Sequence, residues 1–242
     1  MGKLEEKVAI VTGGSRGIGK AIARGLAGEG AKVVIAARGV EKLNETALEL
    51  AAVSATVVPI PADITEEVQV NALFQRTLEL FHRLDILVNN AGAFDGGPLD
   101  ELSVETWDKV MAANLRGPFL CTRAAMRIMK PQAGGRIINI GSISAQRPRM
   151  NTAPYATSKF GLWGLTNATA LEGRRFGITA CCLHPGNVPR VDASSQERRG
   201  GEPMMAAEEL AEVAVLMASL PPHVNMLEAI VLPLGQPYLG RG

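Results

Sequence analysis

Tyr155 and Lys159 lie four positions apart, a spacing that puts two side chains capable of proton transfer on one face of a helix. An ammonium beside a phenol favours the ionised phenolate, and such a pair can exchange a proton with an alcohol or a carbonyl. A hydroxyl such as Ser142, thirteen residues before the tyrosine, could stabilise negative charge on the same oxygen. The same spacing also arises by chance on amphipathic helices, where both side chains lie at the surface.

Residues 12–19, Thr-Gly-Gly-Ser-Arg-Gly-Ile-Gly, form a glycine-rich segment between a β-branched run and an amphipathic stretch. Glycines let the backbone turn tightly and approach a pyrophosphate, whose charge then faces the N-terminus of the following helix. The spacing is G-x-x-x-G-x-G, and a glycine-rich turn after a strand can be no more than a turn. Its position at the first strand–helix junction favours dinucleotide binding.

Arg38 follows the second predicted strand, where an acidic residue would bind the ribose 2′-hydroxyl of NAD. The nearest acid is Glu41, inside the next predicted helix. Arg38 and Arg16 could instead clamp a 2′-phosphate through charge-assisted hydrogen bonds. The sequence therefore predicts a preference for NADP(H); the alternative is two solvated surface arginines.

Small and amide residues follow the next two predicted strands, Asp63 after the third and Asn90 after the fourth. Such residues leave room for an adenine and its ribose and can hydrogen-bond to them. Asp63 could equally be the N-terminal acid of the following helix. Asn90 could simply tie neighbouring strand ends together.

A sheet must position these segments. Short β-branched runs in the sequence are continuous rather than alternating, which suits strands buried on both faces of a parallel sheet. The runs are 8–11, 33–35, 56–58, 86–88, 136–140, 179–183 and 229–232. Segments with helical spacing separate them. The alternation predicts one α/β domain over 1–242, a doubly wound, Rossmann-like, seven-stranded parallel sheet with ligands beyond the carboxyl ends of its strands.

Composition excludes several classes of function. The 242 residues carry 25 basic and 24 acidic side chains, a net charge of +1, which argues against nucleic-acid binding and against a polybasic membrane-surface protein. No apolar run is long enough to cross a membrane. Three cysteines, two of them adjacent, predict buried thiols in a cytoplasmic protein. The three histidines are isolated, so we expect no metal site.

Together these segments resemble the short-chain dehydrogenase/reductase family over nearly the whole chain, from residue 7 to about residue 233. Residues 12–19 are similar to the family's cofactor turn, 89–92 to its strand-four motif, and 185–186 to the turn after its sixth strand. The positions of the family's catalytic tetrad are occupied by Asn114, Ser142, Tyr155 and Lys159. The agreement of several motifs in the right order makes the resemblance specific.

The resemblance implies an NADP(H)-dependent oxidoreductase that interconverts a small alcohol and its carbonyl. Tyr155 would be the general acid or base, Lys159 would assist it and hold the nicotinamide ribose, and Ser142 would polarise the substrate oxygen. Asn114, at a bend that opens a helix over 115–130, would hold a water in a proton relay. The implied cofactor contacts are Gly13, Ser15, Arg16, Ile18, Gly19, Arg38, Asp63, Ile64, Asn90, Ala91, Gly92, Tyr155, Lys159, Pro185, Gly186 and Val188.

The sequence departs from the family pattern at one expected cofactor contact and over residues 222–233. Arg190 stands where many members have a threonine that contacts the nicotinamide amide. Asn187 or a backbone group could substitute, or Arg190 could reach a phosphate or a substrate anion. The ending over 222–233 lacks the family's glycine-rich tail and is similar instead to a branch that acts on hydroxy acids such as serine.

The sequence does not identify the substrate. The predicted substrate loop, about 188–205, contains Arg190, Arg198 and Arg199 against three acids, which permits a carboxylate without demanding one. The alternatives are a 3-oxoacyl-thioester reductase, a hydroxy-acid dehydrogenase and, from another class, a non-catalytic NADP-binding sensor or regulatory protein. His184 is either an additional acid or a structural histidine. The resemblance also implies a homotetramer or homodimer packed through the helices after Asn114 and Tyr155.

Overall fold

Strands and helices alternate along residues 2–52, 56–189 and 202–238, which a computed structural model of the chain describes. The strands are β1 (Val8–Thr12), β2 (Lys32–Ala37), β3 (Val57–Pro61), β4 (Ile86–Asn89), β5 (Gly135–Ile140), β6 (Ile178–Pro185) and β7 (Glu228–Val231). The α-helices are α1 (Gly17–Gly28), α2 (Val40–Ala51), α3 (Glu67–Phe81), α4 (Val104–Met111), α5 (Gly117–Met129), α6 (Ala153–Gly173) and α7 (Ala207–Ser219). A π-helical turn, Ala112–Arg116, joins α4 to α5.

The strands form one sheet in the order β3-β2-β1-β4-β5-β6-β7, and every pairing is parallel. The predicted doubly wound, seven-stranded α/β fold is therefore confirmed. The chain order reverses between β1 and β4, which lie side by side. In such sheets the reversal leaves a crevice beyond the carboxyl ends of the strands, where ligands bind.

Helices cover both faces of the sheet because successive strand residues point to opposite sides. On one face, Val11 of β1 belongs to a core with Ile22 of α1 and Met217 of α7. On the other face, the neighbouring Ile10 belongs to a core with Phe74 of α3, together with side chains of α5. All five residues of β1 are buried, as the continuous β-branched run predicted.

The prediction of a helix opening at residue 115 after a bend at Asn114 is wrong. Asn114 lies inside the π-helical turn, so the helical backbone continues from α4 through to α5. The physical reason lies in Pro118, which has no N–H and cannot donate to the carbonyl of Asn114 four residues earlier. That carbonyl therefore lacks the donor that a regular α-helix would supply, and π turns of this kind often occur at functional sites.

The three cysteines are free thiols buried in the sheet and in α5, as predicted. Burial raises the pKa of Cys121, Cys181 and Cys182 to about 12 in each case. Within the described residues, no helix is both long and apolar enough to cross a membrane.

Candidate active site

A cavity of about 800 Å³ opens at the carboxyl ends of the central strands. Every catalytic and cofactor-contact residue that the family resemblance implied lies in its lining, although these residues come from distant parts of the chain. The predicted catalytic residues in the lining are Asn114, Ser142, Tyr155 and Lys159. The predicted cofactor contacts in the lining are Gly13, Ser15, Arg16, Ile18, Gly19, Arg38, Asp63, Ile64, Asn90, Ala91, Gly92, Pro185, Gly186 and Val188.

The glycine-rich turn between β1 and α1 has no room for side chains at two of its positions. Gly13 has a φ of +64°, and a Cβ there would lie 2.8 Å from Asn90 Nδ2. A Cβ on Gly19 would lie 2.3 Å from the same nitrogen. The N-cap residue of α1, Arg16, makes no side-chain cap hydrogen bond, and the first turn of the helix contains no acid. The turn therefore presents backbone N–H groups at a helix N-terminus, where an anion is favoured.

Asn90 ties the end of β4 to the turn after β1. Its Nδ2 donates to the carbonyls of Thr12 and Gly13 at 2.9 and 3.2 Å. In return, Thr12 Oγ1 accepts from the backbone N–H groups of Asn90 and Ala91 at 3.0 and 3.1 Å. Thr12 is not among the site residues predicted from the sequence. These bonds fix the separation of the two strand ends that bound the crevice.

Asp63 is not the N-terminal acid of the next helix, because α3 begins only at Glu67. Its Oδ1 instead accepts from the N–H and hydroxyl of Thr65 at 3.0 and 2.8 Å, closing a local turn. Its Oδ2 lies 3.8 Å from Arg38 Nη1. The Arg38 side chain is 81% exposed, and a surface pair of this kind contributes only about 0–1 kcal/mol. Arg38 is therefore able to exchange Asp63 for another anion at the cavity rim.

Tyr155 and Lys159 occupy successive turns of α6, as the spacing predicted. The Lys159 ammonium lies 5.7 Å from the centre of the Tyr155 ring. It also donates to the carbonyl of Ile140 at 2.8 Å, and the side chain is buried. This bond anchors the ammonium to the end of β5, so that helix and sheet together set its position beside the phenol.

Ser142 and Asn114 complete the predicted tetrad. Ser142 follows β5, is buried, and its Oγ accepts from the N–H of Ser144 at 3.1 Å. The Asn114 amide donates to the Ala93 carbonyl at 2.8 Å and to Ser158 Oγ at 3.0 Å, while its Oδ1 accepts from the N–H of Ala93 at 2.7 Å. Both N–H groups of the amide are therefore occupied, whereas Oδ1 keeps a second lone pair that can accept from a water.

Phe94 is a lining residue that the sequence analysis missed. Its ring lies 4.8 Å from that of Tyr155, centre to centre, at an interplanar angle of 62°. Edge-to-face pairs with this geometry are favourable and restrict the orientation of both rings. The signal in the sequence was an aromatic residue two positions after Gly92, in the loop after a strand end.

Asn187, proposed from the sequence as a substitute for the missing threonine, is committed to other contacts. Its N–H donates to Gln236 Oε1 at 2.8 Å and its side-chain amide donates to Glu202 Oε2 at 2.7 Å. Its carbonyl accepts from the N–H of Met205 at 3.0 Å. Arg190, Arg198 and Arg199 lie outside the described residues, as does most of the predicted substrate loop.

His184 lies fully buried behind Ser142. Its Nδ1 is 2.9 Å from the Ser142 carbonyl oxygen, and its Nε2 is 3.3 Å from Glu228 Oε1 without an aligned hydrogen bond. Burial lowers the pKa of the imidazole, an effect that Lys159 assists and that the Ser142 carbonyl and Glu228 oppose. The contact with Glu228 is therefore one between a neutral imidazole and a carboxylate, not an ion pair. This position suits a structural histidine.

Acidification is expected to destabilise the fold through His184. The unfolded chain binds a proton to this residue near pH 6.5, whereas the folded protein does so only at lower pH, so stability falls as the pH drops below about 6.5. The contribution is at most about 1.4 kcal/mol per pH unit. Urea unfolding from pH 7.5 to 5 should show a shallower decline in His184→Asn than in the wild type. His223→Asn controls for the loss of an exposed imidazole, and parallel profiles for His184→Asn and wild type would contradict the expectation.

Comparisons with known proteins identify relatives over nearly the full length of the chain. A family model described as short chain dehydrogenase matches residues 7–200. A Staphylococcus epidermidis protein, named an uncharacterized oxidoreductase, is 31% identical over 234 residues, covering 97% of this chain and 100% of the relative. A Staphylococcus haemolyticus protein with the same description is 33% identical over 236 residues, covering 97% and 100%.

Solved structures of short-chain oxidoreductases superpose closely on this chain. A metagenomic short-chain oxidoreductase in complex with NADP matches with a TM-score of 0.85 and 34% identity, covering 96% of this chain and 98% of its own. A short-chain type dehydrogenase/reductase from Mycobacterium marinum matches with a TM-score of 0.89 and 30% identity, covering 94% of each chain.

Proposed function

Because the chain belongs to the short-chain dehydrogenase family, we propose that it is an NADP(H)-dependent oxidoreductase that interconverts a small alcohol and its carbonyl. The observation that carries the proposal is the shared cavity: the Tyr155–Lys159 pair and Ser142 line the same space as the glycine-rich turn. An oxidoreductase needs its proton-transfer residues beside the bound cofactor. A protein that only binds NADP does not need the Tyr155–Lys159 pair.

The residues present fit a dinucleotide. The turn over 13–19 has glycines where a Cβ would collide, and it leads into a helix whose N-cap residue makes no side-chain cap hydrogen bond. A pyrophosphate would be held there by backbone N–H groups. Asn90, Ala91 and Gly92 at the end of β4 would leave room for the nucleoside, with Asp63 and Ile64 beside them. The nicotinamide supplies the hydride chemistry when bound.

The 2′-phosphate of NADP would meet a cluster of cations at one end of the cavity. Arg16, Arg38 and Lys42 all line the cavity, and the two arginines follow the neighbouring strands β1 and β2. Arg38 and Arg16 would contact the phosphate through charge-assisted hydrogen bonds. The solved relative that was crystallised with NADP supports the same cofactor for this chain.

The chain's own residues would manage the proton. The Tyr155 hydroxyl would donate a proton to the carbonyl oxygen in reduction and accept it from the alcohol in oxidation. Ser142 would hydrogen-bond the same oxygen, and Lys159, anchored on the Ile140 carbonyl at 2.8 Å, would stabilise the phenolate. Asn114 would hold a water in a proton relay to Lys159, accepting from it with the second lone pair of Oδ1 or with the main-chain carbonyl.

The expected assembly is a homotetramer or homodimer. Exposed apolar side chains on α5 and α6, namely Phe119, Phe160 and Leu171, support contact through these helices. Sedimentation velocity measures the state, and a stable monomer would contradict it.

The proposed activity is tested by following NADPH and NADH oxidation against ketones, 3-oxoacyl thioesters, quinones and 3-oxo acids. We expect turnover with one class and a preference for NADPH. A hit among the thioesters or the 3-oxo acids would select the 3-oxoacyl-thioester reductase or hydroxy-acid dehydrogenase form of the activity. NADPH binding without turnover in any class would favour the non-catalytic sensor instead.

A further inference from the structure

The last described part of the chain, residues 228–238, runs back to the candidate active site. This C-terminal segment consists of β7 and the turn that follows it, in which the N–H of Gln236 donates to the Pro233 carbonyl at 2.9 Å. The Gln236 side chain is only 7% exposed. In the sequence the segment lies far from every predicted site residue. In the fold it contacts two loops that line the cavity.

The first of these loops is the turn after β6. The N–H of Gly186 donates to the Val231 carbonyl at 2.8 Å, and the N–H of Asn187 donates to Gln236 Oε1 at 2.8 Å. A Cβ on Gly186 would lie 2.2 Å from that same oxygen. Asn187 is 5% exposed, so water cannot readily replace the glutamine as acceptor. Two successive N–H groups of the turn are thus held by the C-terminal segment.

The second loop begins at Ser142 and includes Gln146. The Tyr238 hydroxyl donates to Gln146 Oε1, and Gln146 Nε2 donates to Glu228 Oε1. The guanidinium of Arg147 lies 5.2 Å from the centre of the Tyr238 ring. The same segment therefore holds both the loop that carries Ser142 and the turn that is expected to receive the nicotinamide.

We propose that the C-terminal segment is a positioning element of the cofactor site, and that Gln236 keeps the turn at Gly186 and Asn187 in the conformation that binds the cofactor. The proposal rests on the function proposed above. Without the glutamine oxygen, the buried Asn187 N–H has no acceptor, a state that proteins avoid by shifting the backbone. If only part of the population keeps the competent turn, the apparent Kd of the cofactor rises in inverse proportion to that fraction.

The test is fluorescence titration of NADPH onto the purified full-length protein. Gln236→Met keeps the length of the side chain and removes the acceptor, and we expect its Kd for NADPH to rise roughly tenfold, with a smaller change in kcat. Gln236→Asn keeps the amide but is one methylene shorter, so a smaller rise in the same direction is expected. If the methionine variant does not fold, the Kd of Gln236→Asn for NADPH provides the test.

Gln132→Met is the matched control, because the side-chain oxygen of Gln132 also accepts from a backbone N–H, at the opposite end of the sheet. Its Oε1 accepts from the N–H of Leu84 at 3.1 Å and its Nε2 donates to the Leu84 carbonyl at 2.8 Å. We expect it to lower Tm without changing the Kd. A lowered Tm with an unchanged Kd in the Gln236 variants would overturn this inference but not the proposed function. A wild-type protein that binds neither NADPH nor NADH would overturn the proposed function, and the inference with it.

Discussion

Tyr155→Phe is expected to lower turnover by about 10²–10⁴-fold while leaving NADPH binding intact, because it removes only the group that would transfer the proton. The phenylalanine ring can keep the edge-to-face contact with Phe94, now 4.8 Å between centres. Lys159 keeps its bond to the Ile140 carbonyl at 2.8 Å, so its position does not depend on the hydroxyl. The measurement is steady-state NADPH oxidation with the substrate class found active, beside a fluorescence titration of NADPH.

Thr157→Val is the matched control for Tyr155→Phe. It also removes a hydroxyl from α6, two residues along, at an exposed position outside the cavity lining. Its turnover should equal that of the wild type. Retained activity in Tyr155→Phe would refute the proposed proton transfer. Loss of NADPH binding in that variant would mean that the tyrosine acts on the cofactor site and not on the substrate oxygen.

Arg38→Asp is expected to shift the ratio of kcat/KM for NADPH over NADH by about 10²-fold toward NADH. Hydrogen bonds to charged groups contribute about 1.5–3 kcal/mol each, and the new carboxylate would both repel the 2′-phosphate and accept from a 2′-hydroxyl. Arg38 loses little when it leaves Asp63, which lies 3.8 Å away at the surface. The measurement is the full kinetics with both cofactors at one ionic strength, since salt screens this contact.

Arg24→Asp provides the control for the change in net charge. Arg24 is an exposed residue of α1 outside the cavity lining, so its substitution should leave the cofactor ratio unchanged. An unaltered ratio in Arg38→Asp would show that the arginine is an ordinary solvated side chain. That outcome would also remove the chief argument from the sequence for NADP(H).

The parts of the fold that were predictable are those encoded locally. Continuous β-branched runs identified each strand, and residues that follow parallel strands must meet at one edge of the sheet. Arg38, Asn90 and Ser142 could therefore be placed at one cavity before their contacts were known. The alternative left open for Asp63, that of a helix-terminal acid, does not hold because α3 begins only at Glu67.

The features that escaped prediction depend on contacts between distant segments. Thr12 meets Asn90 across 78 residues, and Gln236 meets Asn187 across 49. Neither pair has a periodicity or a motif that would mark it, because each depends on where two loops end in space. The π turn at Asn114 is an intermediate case, since Pro118 was visible in the sequence but its effect on the helix was not.

The burial of every cysteine has a practical consequence for labelling. With their thiols buried and their pKa values raised to about 12, Cys121, Cys181 and Cys182 offer alkylating reagents almost no thiolate. A cysteine introduced at exposed Pro189, in the cavity lining, would then be the one reactive thiol of the folded protein. A fluorophore attached there would report on the cofactor site without any native cysteine having to be removed.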